Sequence, residues 1–180
     1  SGADPDQGRR NPVQTRMTGG PSAQRSSELM ELVHWQVGFG PRYPGVVGHT
    51  LLHSALRERL SRLPHQLVEQ RFPLKFDGRL NDCINFIVTI PAGNQAPQEQ
   101  VDRGPVLIGT HYDTRIIGDR EVDLELRERP ILGANDGGSG TAVLLHLLEH
   151  WPSTPPKRDL HIVFFDAEDV GNLEGYEFSM

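Results

Sequence analysis

Two strand-like segments, separated by a glycine-rich segment and a helix, constrain the fold of this chain most. Residues 105–110 and 160–165 are short, almost wholly apolar and bounded by turn residues, a pattern typical of fully buried strands. Between them, residues 137–140 read Gly-Gly-Ser-Gly and lead into an apolar helical stretch over 141–150. This order predicts a strand-helix-strand unit in an α/β sheet.

Two helices and a hairpin are predicted upstream of this unit. The first helix is expected to begin near Ser26, and the second to run from Val47 to Leu63. The predicted buried face of the second helix comprises Leu51, Leu52, Ala55, Leu56 and Leu60. Residues 70–76 and 84–90 flank the turn signal Asp77-Gly78-Arg79 and predict antiparallel strands. The predicted fold class is therefore α/β, with a mixed, mostly parallel sheet and helices on both faces.

The composition fits one globular domain preceded by a disordered tail. Residues 1–25 are rich in Gly, Pro, Gln, Arg and Ser, so we expect them to be disordered and the domain to span residues 26–180. The net charge of −6 argues against a nucleic-acid partner, which requires a basic face. No segment approaches the roughly 18 consecutive apolar residues of a membrane span. Cys83 is the one cysteine, and we expect its thiol to be buried.

Metal-competent side chains follow the first of the two buried strands. His111 is expected at the strand's carboxyl end, and Asp113 projects to the same side two residues later. A carboxylate in that position can orient a ligating imidazole. The alternative for this segment alone is a strand-end histidine beside a solvated aspartate.

Carboxylates also stand at the helix entrance and after the second strand. Asp136 directly precedes the glycine-rich segment, where it could instead be an ordinary helix cap. Glu168 and Asp169 follow the second strand, and a divalent ion would relieve their mutual repulsion. The alternative for this pair alone is a solvated acidic turn. In parallel α/β folds such strand-end groups gather at one edge of the sheet, so together they predict a zinc site.

These segments together resemble the zinc metallopeptidase family of bacterial leucyl aminopeptidases and animal-type glutaminyl cyclases. The resemblance is closest to its bacterial glutaminyl-peptide cyclotransferase-like members. In that family a His-x-Asp, a helix-opening Asp, and an acidic pair after a Phe-Phe-Asp strand end follow one another, as they do here. Residues 42–48, Arg-Tyr-Pro-Gly-Val-Val-Gly, also resemble a segment of the cyclases. The resemblance covers residues 28–180.

The resemblance implies a site with one or two zinc ions and gives each candidate residue a role. It implies that Asp136 binds zinc and bridges two ions when two are present, that Asp169 is a ligand, and that Glu168 moves protons. His111 would bind the second ion in an aminopeptidase and would only lie near the site in a cyclase. Asp113 would orient His111 from behind. The resemblance also implies a cis peptide bond after Asp136.

Two reactions on peptide or protein N-termini are compatible with the resemblance. In a glutaminyl cyclase, the N-terminal amine attacks the glutamine side-chain amide, which gives pyroglutamate and ammonia, and Glu168 relays the proton. In an aminopeptidase, an activated water attacks the scissile carbonyl and Glu168 takes its proton. The Arg-Tyr-Pro-Gly and Phe-Phe-Asp strings favour the cyclase. A noncatalytic interaction module with the same fold is the third alternative, and the clustered carboxylates argue against it.

The resemblance further implies that the 180 residues are the front portion of a longer enzyme. Family members take two more ligands, an Asp and a His, from beyond the acidic pair, whereas this sequence stops at Met180. We therefore expect a truncated sheet, poor zinc affinity, and an exposed strand edge that allows self-association. The family also suggests a periplasmic or secreted location.

The remaining histidines are interpreted without a catalytic role. His146 and His150 match the H-x-x-E-H string of another metallopeptidase class, but we interpret the match as chance and both residues as polar positions at a helix end. Four further histidines lack acidic partners at ligand spacing and are interpreted as surface or packing residues; they are His34, His49, His53 and His65.

Overall fold

The computed structural model describes residues 23–94, 103–118 and 121–170. Helix α1 spans Ala23–Val37 and α2 spans Val47–Ser61, both close to their predicted positions. Because α1 starts at Ala23, the folded part begins slightly before Ser26. Residues 1–22, most of the predicted tail, lie outside the described residues.

A four-stranded mixed sheet in the order β1-β2-β4-β3 forms the centre of the fold. Its strands are β1 Gln66–Phe76, β2 Arg79–Ile90, β3 Val106–His111 and β4 Leu160–Phe165. Strands β1 and β2 form the predicted antiparallel hairpin, β2 pairs antiparallel with β4, and β3 pairs parallel with β4. The predicted mixed α/β sheet is confirmed, and among the described strands its parallel part is the β3–β4 pair.

Further helical segments connect these strands. Helix α3 is a single turn over Leu124–Arg127, and α4 spans Gly138–Glu149 between β3 and β4. A short 3-10 turn, Glu168–Val170, follows β4. No helix in the described part of the chain is long and apolar enough to cross a membrane.

One hydrophobic core lies between the three long helices and one face of the sheet. The buried residues of that face pair directly across two strands: Phe86 with Phe164, Val88 with Ile162, and Ile90 with Leu160. Each such side chain stabilises the fold by about 1.5–3 kcal/mol through loss of apolar surface. The opposite face carries half-buried Ile87, Thr89 and His161.

The buried face of α2 differs from its prediction. Leu52, Leu56 and Leu60 are buried in the core, as expected, but Leu51 is exposed. His49 and His53 are buried instead, one turn apart on the side of the helix that faces the sheet. Leucine spacing did not predict this burial. An amphipathic pattern assigns the buried positions of a helix to apolar residues, and histidine is polar.

The prediction of a fully buried strand at 105–110 is wrong for β3. This strand has a neighbour on one side only among the described strands, and Leu107 is 60% exposed. An apolar run indicates burial but does not indicate which neighbours supply it. The exposed edge is the one that we expect to permit self-association, which stays a prediction. In β2, Cys83 is buried as predicted, and burial raises the pKa of its thiol to about 12.

Candidate metal centre

The carboxyl ends of β3 and β4 lie side by side and bring the candidate residues together. His111, the last residue of β3, is in register with Phe165, the last residue of β4. The N–H of Tyr112 donates to the carbonyl of Phe165 at 3.1 Å, which extends the pairing one step further. Because the two strands are parallel, the chain segments that follow them leave the sheet at the same edge.

Asp136 contacts His111 rather than capping helix α4. Its Oδ1 lies 3.0 Å from Nε2 of His111, and the helix has no side-chain cap. The capping alternative is therefore not observed. Gly137 makes the close approach feasible, because its φ is +78° and a Cβ there would lie 2.5 Å from the carbonyl oxygen of Asp113.

The expectation of a cis peptide bond after Asp136 is wrong. Every peptide bond between described residues is trans. Gly137 turns the chain through its left-handed φ instead, a conformation that glycine adopts without steric penalty.

Asp113 is fully buried and links the two strand ends. Its two carboxylate oxygens accept the backbone N–H groups of Glu168, at 3.2 Å, and Asp169, at 2.9 Å. Its Oδ1 also lies 3.4 Å from Nδ1 of His111, a buried nitrogen without a hydrogen-bond partner in the described structure. The predicted interaction of Asp113 with the imidazole of His111 is therefore a close charge contact. The same carboxylate also fixes the backbone of the acidic turn.

Three carboxylates raise the pKa of His111 to about 9. Burial of the imidazole is the largest single influence and lowers the pKa, but Asp113, Glu168 and Asp136 together outweigh it. The imidazole therefore stands in a strongly negative environment. A bound cation would relieve this concentration of negative charge.

The two carboxylates of the acidic pair differ in exposure, and that of Asp169 is the less exposed. The side chain of Glu168 is 59% exposed and its Oε2 lies 3.9 Å from Nδ1 of His111. The side chain of Asp169 is 10% exposed, and its Oδ1 accepts from Nη1 of Arg115 at 2.8 Å. Burial raises the pKa of Asp169. The hydrogen bond from Arg115 lowers this pKa, and the negative charge of Asp136 raises it. The structure thus brings His111, Asp113, Asp136 and Glu168 together, whereas the Asp169 carboxylate faces Arg115.

At the strand ends, His111 and Asp136 offer one pair of donors that suits a divalent metal ion. Imidazole nitrogen and carboxylate oxygen are donors that first-row divalent ions accept. Two such donors on one tetrahedral zinc lie about 3.3 Å apart, given bonds of about 2.0–2.2 Å. The 3.0 Å between His111 and Asp136 is close to that value.

Arg42, in the segment that resembles the cyclases, is a fully buried hub beside this site. Its guanidinium donates to five backbone carbonyls, those of Gln36, Gly40, Tyr112, Leu132 and Gly133. Its own N–H donates to Thr114 Oγ1 at 2.8 Å. Burial lowers the pKa of Arg42 to about 10, and Asp113 partly offsets this. Arg42 therefore ties the loop after β3 to the segment that leads to Asp136.

A buried His-Asp-His cluster on the other side of β4 corrects the interpretation of His49 and His53. Nε2 of His49 lies 2.7 Å from Oδ1 of Asp166, and Nε2 of His53 lies 2.8 Å from Oδ2. Asp166 also accepts the N–H of Ile84 at 2.8 Å. Both histidines therefore have an acidic partner, which sequence spacing did not show because it stands more than 100 residues away. The i,i+4 histidine spacing was the available signal.

Comparison with known proteins gives the family of the chain. Residues 85–179 match the model of peptidase family M28. Because this match covers more than half of the 180 residues, the chain belongs to that family. No curated protein matches the chain.

Solved structures of enzymes share the fold. The glutaminyl cyclase of Porphyromonas gingivalis is 30% identical, with a TM-score of 0.69 over 82% of this chain and 49% of that chain. A Zn-dependent exopeptidase of Parabacteroides distasonis is 29% identical, with a TM-score of 0.64 over 82% and 48%. A leucine aminopeptidase precursor of Bacteroides thetaiotaomicron is 29% identical, with a TM-score of 0.65 over 84% and 50%. The chain thus spans about half the length of these structures, and the predicted family is confirmed.

Proposed function

We propose that this chain carries the front part of the active site of a zinc-dependent enzyme acting on peptide N-termini, with glutaminyl cyclisation as its reaction. The observation that carries the proposal is the 3.0 Å contact between His111 and Asp136, with Asp113 behind the imidazole. Membership of peptidase family M28 and the similarity to the Porphyromonas gingivalis glutaminyl cyclase support it.

The residues at the strand ends have separate roles in this proposal. Asp136 and Asp169 would hold zinc, and His111 would hold a second ion if one is present. When bound, zinc would supply a Lewis acid that polarises the carbonyl under attack. In the cyclase reaction no attacking water is needed, because the substrate's own amine is the nucleophile.

Glu168 suits the proton transfer because its carboxylate is the exposed member of the pair. Its backbone is held by Asp113, so the side chain extends from a fixed position towards solvent. It would accept a proton from the attacking N-terminal amine and donate it to the departing ammonia. Arg115 favours the ionised form of Asp169, which is the form that a metal ion binds.

Aminopeptidase activity is the second candidate, and the position of His111 favours it. The Nε2 of His111 faces the carboxylate that would bridge two ions, as the resemblance implies for a two-zinc peptidase. The similarity to the Parabacteroides distasonis exopeptidase gives this candidate independent support.

The two reactions release different products, which provides the test. The full-length gene product that contains this segment, supplied with zinc, is assayed on a peptide with N-terminal glutamine and on one with N-terminal leucine. Ammonia without a free amino acid supports the cyclase, and a free amino acid supports the aminopeptidase. Activity should be lost in Glu168→Gln and kept in the exposed control Glu58→Gln. A protein with neither activity would favour the noncatalytic module.

A further inference from the structure

Glu28, His146 and His150 form a second cluster of metal-ligating side chains. Glu28 lies in α1, His146 in the last turn of α4, and His150 directly after α4. One ligand atom from each of the three lies within 4.8 Å of the other two. Because α4 has 12 residues and starts next to Asp136, about 18 Å of helix separates this cluster from the strand-end site.

The carboxylate of Glu28 is oriented towards both histidines. Its Oε1 accepts from Nε2 of Gln24 at 3.1 Å. Its Oε2 lies 3.7 Å from Nδ1 of His146 and 3.9 Å from Nε2 of His150. These two distances exceed those of hydrogen bonds. The two imidazole rings therefore pack against each other, with centroids 4.1 Å apart, and the Glu28 carboxylate lies beside both without a hydrogen bond to either.

The backbone of α4 sets the tautomer of His150. Its Nδ1 lies 3.0 Å from the carbonyl oxygen of His146, which can only accept, so Nδ1 carries the proton. In a neutral imidazole Nε2 then has a free lone pair, and that lone pair faces the Glu28 carboxylate. A divalent metal ion placed between these two acceptors would accept a lone pair from each. A histidine whose other nitrogen is held by a carbonyl is the usual form of a metal ligand.

We propose that Glu28, His146 and His150 bind a divalent first-row transition-metal ion of the zinc class. Two imidazole nitrogens and one carboxylate oxygen suit such an ion and leave further positions to water. The ion would join the start of α1 to the end of α4, which are distant in sequence. The site is accessible, since the side chain of His150 is 57% exposed.

The H-x-x-E-H string itself does not form this site. Glu149 pairs with Arg59, whose Nη2 lies 3.0 Å from Oε2 of Glu149. The glutamate of the cluster is Glu28 in helix α1, so the H-x-x-E-H string does not form a catalytic metal site here. This agrees with the interpretation of the string as a chance match, and the proposed ion would have a structural role.

Zinc titration tests the proposal in a chain whose strand-end site has been removed by His111→Gln and Asp136→Asn. Calorimetry on this background should show one zinc per chain. Loss of a group that only supports a metal ligand costs roughly 10–100-fold in affinity, so loss of a ligand itself should cost at least roughly tenfold. We therefore expect at least this loss in each of Glu28→Gln, His146→Gln and His150→Gln. The controls His34→Gln and Glu58→Gln, which change exposed residues of the same types, should bind as the background does.

Two results would overturn the proposal. One is zinc binding that is unchanged by His146→Gln or His150→Gln. The other is full affinity in Glu28→Gln, because the site would then need only the histidine pair. Electron paramagnetic resonance of the unsubstituted cluster loaded with Cu²⁺ gives a result that does not depend on the folding of any ligand variant. Two coupled nitrogens are expected, and an all-oxygen signal would contradict the proposal.

Discussion

The carboxylate of Asp113 accepts the backbone N–H of Asp169 at 2.9 Å, although 56 residues separate the two in sequence. This bond fixes the turn after β4 to the loop after β3. The second carboxylate oxygen of Asp113 holds the N–H of Glu168 in the same way. The residue that the sequence placed behind His111 therefore also positions the acidic pair.

Asp113→Asn should destabilise the protein, because the new amide group cannot accept the N–H that one carboxylate oxygen now accepts. We expect the free energy of unfolding, measured by urea denaturation, to fall by about 1–3 kcal/mol. The control is Asp123→Asn, where an exposed carboxylate accepts the N–H of Glu125 at 3.0 Å and asparagine caps equally well. Equal losses in the two variants would contradict the role given to Asp113.

Arg42→Lys should also be strongly destabilising. A lysine ammonium has three donors and no planar fork, so it cannot serve the five carbonyls that the guanidinium holds. We expect thermal and urea unfolding to show a loss of about 3 kcal/mol. Arg59→Lys, at a partly exposed ion pair with Glu149, should cost only about 0–1 kcal/mol. A loss at Arg42 no larger than that at Arg59 would show that the hub is dispensable.

The His-Asp-His cluster predicts a specific acid sensitivity. Burial raises the pKa of Asp166, but the hydrogen bonds from His49 and His53 outweigh it and hold the pKa well below its usual range. Since an unfolded Asp has a pKa of about 3.9, the stability from this carboxylate is present above about pH 4 and is lost as the pH falls below it.

Urea unfolding from about pH 5 down to about pH 2, the range around the carboxyl pKa, measures this sensitivity. Asp166→Asn should lose less stability over that range than the unsubstituted chain does. The exposed control Asp159→Asn should retain the full pH dependence. Identical slopes for all three proteins would rule out Asp166 as the source.

Ala167 stands in an unfavourable backbone conformation directly before the acidic pair. Its φ is +59°, in the left-handed region that costs a residue with a Cβ roughly 1–2 kcal/mol. Ala167→Gly should therefore raise the free energy of unfolding by about 1 kcal/mol. Ala55→Gly, within helix α2, should lower it by about 0.5–1 kcal/mol. A destabilised Ala167→Gly variant would contradict the assignment of strain.

The sequence was most informative where strands end. The runs before His111 and Asp166 predicted β3 and β4, and parallel pairing then placed His111, Asp113 and Glu168 at one edge. Asp136 was predictable because it precedes a glycine-rich helix entrance, where the backbone can approach a ligand closely. These predictions rested on local patterns that tertiary contacts did not override.

Residues that act across long sequence separations could not be predicted in this way. Arg42 is a charged residue that composition would place at the surface, yet carbonyls from two distant loops satisfy its buried guanidinium. His49 and His53 meet Asp166 only after α2 packs on the sheet. The exposure of β3 likewise depends on which strands flank it.

Zinc-edge anomalous diffraction from crystals grown in millimolar zinc tests most directly whether Asp136 and Asp169 hold one ion. We expect an anomalous peak within about 2.0–2.2 Å of a carboxylate oxygen from each residue. The peak should be absent in Asp136→Asn, and Glu168 should lie beside it without being a ligand. Crystals in which Asp169 still contacts Arg115, with no zinc between the two aspartates, would contradict a zinc ion shared by Asp136 and Asp169.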